Sequence, residues 1–180
     1  MRGVLLLSAV VAALGASDKM APEDYRVITD GKEYYYRNKM EYALYWDHNT
    51  NKIELAFRIR GSHRKSPIQS SSIERLEIFS AAKSIVDDLN LRGEEARKYQ
   101  SLLLRCNQKG EVSGGLYENR KPHPIFPNLK DTILGQEYSY SPNGFFQINL
   151  PVYELALQEI KKHILPRIGK KPISEIDLNT

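Results

Sequence analysis

The chain has 180 residues, with 26 lysines and arginines against 22 acidic residues and a formal net charge of +4. This length suits one full hydrophobic core or two small ones, and the mildly basic balance favours an anionic partner. The single cysteine excludes an internal disulfide, and the four scattered histidines lack the spacing of a zinc or iron–sulfur site. No stretch is long and apolar enough to predict a membrane span.

Residues 1–16 allow two interpretations. A positive residue followed by an apolar run that ends in small residues has the outline of a signal peptide. The alternative is a buried helix, because apolar residues recur at helical spacing and a glycine stands where the helix would end. The residues that carry the helical pattern are Val4, Leu7, Val11, Leu14 and Gly15. Residues 17–36 are polar and irregular, which predicts a linker.

Strand periodicity is clearest over residues 40–60. Apolar and polar residues alternate on both sides of a turn at residues 48–52, which predicts a β-hairpin with one apolar and one charged face. The apolar positions are Met40, Tyr42, Leu44, Trp46, Ile53, Leu55, Phe57 and Ile59. A loop is predicted over residues 61–70.

A helix is predicted over residues 72–90, with serines as its N-terminal cap. Its buried face would contain Ile73, Leu76, Phe79, Ala82, Ile85, Val86 and Leu89. Residues 101–107 and 111–118 predict a second hairpin. A proline-rich loop at residues 121–127 and a single strand at residues 132–140 complete this part of the chain.

Residues 141–149, which we call the bridge, connect that last strand to another helix predicted over residues 150–165. The sequence Ser141-Pro-Asn-Gly144 is typical of a turn, and Asn149 is suited to capping the helix. Phe145 or Phe146 could stack on a flat ring, and Gln147 could hydrogen-bond the edge of that ring. The alternative is that both phenylalanines lie in the core and Gln147 only closes a loop.

Two groups of basic residues flank the first hairpin. Arg37 and Lys39 precede its first strand, whereas the second strand ends in a group made of Arg58, Arg60, His63, Arg64 and Lys65. Hairpin pairing would bring both groups to the same end of the two strands, where they would suit contacts to the phosphates of RNA or DNA. The alternative is a solvated face of the sheet.

The residues suggest no catalytic machinery. Cys106 lies on the apolar side of a predicted strand, where a free cysteine is most often part of the core. There is no glycine-rich phosphate-binding loop. The elements predict an α+β fold: a mostly antiparallel sheet of hairpins with two or three packed helices.

Three segments, in order, resemble the RNA uracil-5-methyltransferase family, which methylates C5 of uridine in 23S rRNA or tRNA using S-adenosylmethionine. They are Tyr36-Arg-Asn-Lys-Met40, Phe57-Arg-Ile-Arg-Gly-Ser-His63 and Ser141-Pro-Asn-Gly-Phe-Phe-Gln-Ile-Asn149. The resemblance covers residues 34–178 and corresponds to the family's central domain. It implies that Phe145 packs by the flipped target uracil and that Gln147 contacts S-adenosylmethionine and the base. It also implies that the basic segments help to hold folded RNA.

The resemblance further implies that catalytic residues are missing. In this family a cysteine attacks C6 of the uracil and a glutamate removes the C5 proton, and both lie beyond the point that this chain reaches. Cys106 does not match that nucleophile. Residues 173–178 resemble the first strand of an α/β methyltransferase domain. The resemblance therefore predicts a truncated enzyme that is inactive alone. No metal is expected, because the four-cysteine iron–sulfur site that some members carry is absent from this sequence. A separately encoded methyltransferase domain would then be a partner.

The resemblance favours the helix over the signal peptide at residues 1–16, and hence a cytoplasmic protein. The predicted divisions are a linker at 17–36, a central RNA-binding and base-recognition domain at 37–149, and the start of a methyltransferase domain at 150–180. Two other hypotheses remain: a stand-alone RNA-binding module without catalysis, and an exported binding protein cleaved near Ala16.

Overall fold

The computed structural model describes residues 27–93, 98–118 and 125–168. Lys32–Glu154 forms one compact unit, and the other described residues belong to a second. The predicted helix at residues 1–16, the predicted strand at 173–178 and the start of the proline-rich loop lie outside the described residues. Among the helices of the described ranges, none is long and apolar enough to cross a membrane.

Five antiparallel strands form the main sheet, in the order β3–β2–β1–β4–β5. Two further strands form a separate antiparallel pair, and two helices are described, so the predicted α+β fold is confirmed. The strands are β1 Lys39–Asp47, β2 Lys52–Arg58, β3 Lys65–Pro67, β4 Tyr99–Cys106, β5 Val112–Glu118, β6 Leu129–Ile133 and β7 Gln136–Tyr140. The helices are α1 Leu76–Arg92 and α2 Leu150–Ile168.

The first predicted hairpin is confirmed. Asp47 pairs with Lys52 beside the turn, and Ala43 pairs with Ala56 further along. The start of β1 and the end of β2 therefore lie at the same end of the sheet, as expected for the two basic groups. The predicted loop at residues 61–70 is wrong in part, because β3 lies within it and adds an edge strand to β2.

The predicted start of α1 at residue 72 is wrong. The helix begins at Leu76 without a side-chain cap, and Leu76 is 61% exposed. The backbone of residues 72–75 instead hydrogen-bonds to residues 35–37: Tyr35 N donates to Ser72 O, Arg37 N to Ile73 O, and Arg75 N to Arg37 O. A backbone committed to these tertiary bonds cannot also form a helical turn.

One face of the sheet and one face of α1 enclose the core. The buried helix residues are Ile78, Ala82, Val86 and Leu89. The strands contribute Met40, Tyr42, Leu44, Ile53, Leu55, Leu102, Leu104 and Cys106. Burial of each large apolar side chain contributes about 1.5–3 kcal/mol. This core therefore stabilises the sheet, whose opposite face is free to carry other residues.

Asn90 fixes the end of α1 to the sheet. Its Oδ1 accepts a hydrogen bond from Ile53 N at 2.8 Å, and its Nδ2 donates one to Ile53 O at 3.0 Å. The helix then ends at Gly93, which has the left-handed conformation (φ 66°) that glycine adopts readily at a helix C-terminus.

The single strand predicted at residues 132–140 is wrong, because the chain reverses within it. Leu134 and Gly135 both have positive φ, at 50° and 81°, and join β6 to β7 as a tight hairpin. Positive φ at both central residues is the geometry of a two-residue hairpin turn, which matches the twist of the strands. The glycine was the sequence signal for this turn.

The second helix confirms the predicted cap. Asn149 Oδ1 accepts a hydrogen bond from Val152 N at 3.4 Å, and Leu150 is buried. The helix continues to Ile168, beyond the predicted end at 165. Within the helix, Lys162 and His163 both contact Glu159.

Candidate functional site

The bridge begins with the predicted turn. Gly144 N donates to Ser141 O at 3.1 Å, and Asn143 N donates to Ser141 Oγ at 3.3 Å. The hydroxyl of Tyr117 on β5 donates to Asn143 Oδ1, which ties the turn to the main sheet. Asparagine and serine side chains that bond to nearby backbone in this way are typical of ordered turns.

The two adjacent phenylalanines occupy different environments. Phe146 stacks on Tyr140 of β7, with ring centroids 3.9 Å apart and an angle of 13° between the planes. Phe145 is 89% exposed. The interpretation that both rings lie in the core is therefore wrong for Phe145. A large exposed aromatic ring beside a fixed one is a surface on which a base could stack.

Gln147 is half-buried, and its backbone is fixed. Its carbonyl oxygen accepts a hydrogen bond from Asn38 Nδ2 at 2.9 Å. Within the described ranges, its side-chain amide makes no hydrogen bond to the protein. The amide can both donate and accept, so it is chemically able to bond to the edge of a pyrimidine or to a polar group of a cofactor.

Three residues at the start of β1 and on β4 bind the bridge through its carbonyl oxygens. Lys39 Nζ donates to Asn143 O at 3.2 Å and to Gly144 O at 3.3 Å. Arg105 Nη2 donates to Phe146 O at 3.2 Å. Asn38 donates twice, from Nδ2 to Gln147 O and from its backbone N to Ile148 O at 2.9 Å. We call Asn38, Lys39 and Arg105 the carbonyl clamp.

Arg105 is the most buried charged residue of the clamp, with only 1% of its surface exposed. Its guanidinium lies 5.4 Å from the centroid of the Tyr140 ring, and the Tyr140 hydroxyl donates to Asp131. Burial lowers the pKa of Arg105, while the nearby Tyr140 and Asp131 act in the opposite direction. The sequence did not predict that Asn38 and Arg105 bind the bridge. The available signal was an arginine between the apolar Leu104 and Cys106.

The structure separates the predicted basic residues into two kinds. In the first kind, Lys39 and Lys65 donate hydrogen bonds from Nζ to backbone carbonyls, and Lys65 Nζ lies 2.6 Å from Leu44 O. Burial lowers the pKa of both amines. Arg37 is half-buried, and its Nε donates to Lys39 O. The exposed residues are Arg58, Arg60, His63 and Arg64, all at the end of β2 or in the loop before β3. RNA contact by any of the seven stays a prediction.

Cys106 lies in the core, as the strand pattern predicted, and its Sγ donates to Asn107 O at 3.3 Å. Burial raises the pKa of this thiol to about 11, which opposes formation of the thiolate that a nucleophile requires. In the part of the chain that the structure describes, no group of three histidine, cysteine, aspartate or glutamate residues is arranged to hold a metal ion.

No protein-family model matches the sequence, and a search of curated proteins finds no match. Among solved structures, the chain is similar to Pyrococcus abyssi tRNA (uracil-54, C5)-methyltransferase in complex with S-adenosyl-L-homocysteine. The TM-score is 0.55 at 15% sequence identity, and the match covers 76% of this chain and 42% of that enzyme. At this identity the likeness shows a shared fold. The chain therefore has the fold of part of a tRNA (uracil-54, C5)-methyltransferase and spans less than half of that enzyme's length.

Proposed function

We propose that this chain supplies RNA-binding and base-recognition contacts of an S-adenosylmethionine-dependent RNA (uracil-C5)-methyltransferase. The observation that carries the proposal is the pairing of Phe145, 89% exposed, with the nearby Gln147, whose amide makes no hydrogen bond to the described protein. A base removed from its stack needs a ring to replace its neighbours and hydrogen-bonding groups at its edge. The shared fold with a tRNA (uracil-54, C5)-methyltransferase supports this class of substrate.

In this proposal Phe145 stacks on the target uracil, and the Gln147 amide bonds to the edge of the base and to S-adenosylmethionine. The amide suits the cofactor because its unbonded donor and acceptor match the polar groups of an amino-acid moiety. The cofactor supplies the methyl group. This chain's contribution is to bind and orient. Because Cys106 is buried, we propose that the nucleophile belongs to another part of the enzyme or to a partner chain, and the general base with it.

RNA contact outside the bridge would come from Arg58, Arg60, His63 and Arg64. These side chains are exposed at one end of the main sheet. Cations on one surface bind phosphates and release counterions, which gives affinity without sequence specificity. We propose a cytoplasmic location, where such RNA is found. The mass of the mature N-terminus would test this, since cleavage near Ala16 would favour export.

The direct test is complementation of methyl transfer. The chain is mixed with a separately expressed methyltransferase domain of a related enzyme, uridine-containing RNA and cofactor labelled in its methyl group. The variants are Phe145→Ala and Gln147→Ala, with Tyr34→Ala as the control because Tyr34 is also an exposed aromatic (59%). We expect label in uracil C5 with the wild type and Tyr34→Ala, and its loss with both bridge variants. Equal transfer by all four proteins would contradict the proposed base contacts.

A stand-alone RNA-binding module is the second candidate, favoured by the same exposed basic residues. It predicts RNA affinity that falls steeply with salt and does not change when S-adenosylmethionine is added. It also predicts no labelled uracil in the complementation mixture. Binding that depends on both Phe145 and the cofactor would exclude this candidate.

A further inference from the structure

The carbonyl clamp is built at a cost to stability. Arg105 is buried, yet its Nε and Nη1 have no hydrogen-bond partner among the described residues, and the same is true of Asn38 Oδ1. A buried donor or acceptor without a partner loses its hydration and gains nothing in return. An apolar residue of similar size at position 105 would avoid this loss. Fold stability therefore does not explain a guanidinium at this position.

The charges of the clamp are also arranged for the bridge. Lys39 and Arg105 are directly paired across β1 and β4, so two cations lie side by side on the same face of the sheet. Like charges in this position repel each other. Neither makes a salt bridge among the described residues, and both direct donors to bridge carbonyls instead. Both cations therefore bind the same segment, one on each side of Phe145.

The bonds of the clamp hold the backbone and leave the important side chains free. The bound oxygens belong to residues 143, 144, 146, 147 and 148, on both sides of Phe145. Neither the Phe145 ring nor the Gln147 amide takes part in these bonds. A backbone fixed in advance lowers the entropy lost when a ligand binds to its side chains.

We propose that Asn38, Lys39 and Arg105 are positioning residues that fix the bridge so that Phe145 and Gln147 face an incoming nucleobase. This inference rests on the proposed function. Arg105 acts at two points, through its bond to Phe146 O and through its position over Tyr140, the ring on which Phe146 stacks. Lys39 acts on the turn, through the carbonyls three and two residues before Phe146.

Hydrogen exchange of the full chain tests the clamp independently of RNA. The variants are Lys39→Met and Arg105→Met. Lys65→Met is a matched control, because Lys65 also donates from a partly buried amine to a backbone carbonyl but does not touch the bridge. We expect exchange in residues 141–149 to be roughly tenfold faster in the first two variants only, with β4 and β5 unchanged. Unchanged exchange in the bridge of both variants would overturn the proposal.

Binding of a short uridine-containing RNA adds a readout that a merely structural role would not move. If Arg105 acts through the bridge, Arg105→Met weakens RNA binding. The double variant Arg105→Met/Phe145→Ala should then lose less binding free energy than the sum of the two single losses. Fully additive losses would overturn the positioning role. If Phe145→Ala binds as the wild type does, the proposed base recognition fails, and hydrogen exchange alone then decides whether the clamp holds the bridge. Arg105→Lys, which keeps the cation, should recover part of the binding and guards against a folding defect.

Discussion

The ring of Phe146 stacks on the ring of Tyr140 at a centroid distance of 3.9 Å. The stack fixes one side of the bridge, and the neighbouring ring of Phe145 is left 89% exposed. Two identical residues in succession therefore lie in different environments, Phe146 packed against Tyr140 and Phe145 at the surface. Residue type alone could not distinguish them.

Substitution of the two phenylalanines should show the difference between these environments as a difference in stability. Phe146→Ala removes a half-buried ring and its stacking contact with Tyr140, so we expect the free energy of unfolding to fall by about 1–3 kcal/mol. Phe145→Ala should change it by less than about 0.5 kcal/mol, as for other exposed positions. Urea unfolding followed by fluorescence of the single tryptophan, Trp46, measures both. Similar losses in the two variants would show that Phe145 is also packed in solution.

Cys106 should make stability depend on alkaline pH. Burial raises the pKa of its thiol from 9.0 to about 11, so the folded protein holds this proton more tightly than the unfolded chain does. The contribution of the protonated Cys106 thiol to the free energy of unfolding is therefore complete below pH 9 and is lost as the pH rises through 11. Cys106→Ala should flatten the decline of the unfolding free energy over that interval.

Urea unfolding at several pH values between 9 and 11 checks this expectation. Tyr42→Phe is the control between pH 9 and 10, because burial and Glu74 raise the pKa of the Tyr42 hydroxyl, and its effect begins only above its usual value of 10.0. A Cys106→Ala profile parallel to the wild type would mean that the thiol is hydrated in solution.

Gly114 should tolerate no side chain. Its φ is 132°, and a Cβ built there would overlap the carbonyl oxygen of Leu103 on the paired strand. We expect Gly114→Ala to lower the free energy of unfolding by about 3 kcal/mol or more. Gly135 also has positive φ, at 81°, but open space surrounds it. Gly135→Ala should therefore lower the free energy of unfolding only by the backbone strain, about 1–2 kcal/mol. Urea unfolding of both variants measures the difference.

Asn90 should be the most sensitive polar residue of α1. Asn90→Ala removes two hydrogen bonds to Ile53 and leaves the buried backbone of a strand end unpaired, so we expect a loss of about 2–3 kcal/mol. Asn90→Asp keeps the acceptor but places a carboxylate oxygen against Ile53 O, and should be no better. Asn49→Ala, in the exposed turn, is the control. A loss below about 0.5 kcal/mol for Asn90→Ala would contradict the bidentate contact.

The basic loop before β3 should control the salt dependence of RNA binding. Replacement of Arg60 or Arg64 by glutamine should reduce the slope of log affinity against log salt by about one each, if each contacts a phosphate. Lys65→Met should leave the slope unchanged, because its amine is bonded to Leu44 O. Fluorescence anisotropy with labelled RNA at several salt concentrations measures the slopes. A slope that changes most with Lys65→Met would contradict this assignment.

The sequence determined the elements whose signals are local. Alternation of apolar residues predicted β1 and β2 and the face that α1 covers, because each strand places every second side chain in the core. Turn residues predicted the start of the bridge, and Asn149 predicted the start of α2, since these residues bond to their own neighbours. The presence of two phenylalanines and a glutamine in the bridge was also evident.

The tertiary structure decided what local signals could not. Residues 72–75 were predicted to form the first turn of α1, but their backbone hydrogen bonds to residues 35–37 prevent this turn. Lysine is usually a surface residue, yet the amine of Lys39 binds carbonyls more than a hundred residues away along the chain. No local sequence pattern predicts such a contact. The exposure of Phe145 likewise depends on Tyr140 and Arg105, which fix its neighbour Phe146. Such contacts join distant parts of the chain, and only the folded arrangement of β4, β7 and the bridge brings them within hydrogen-bonding and stacking distance.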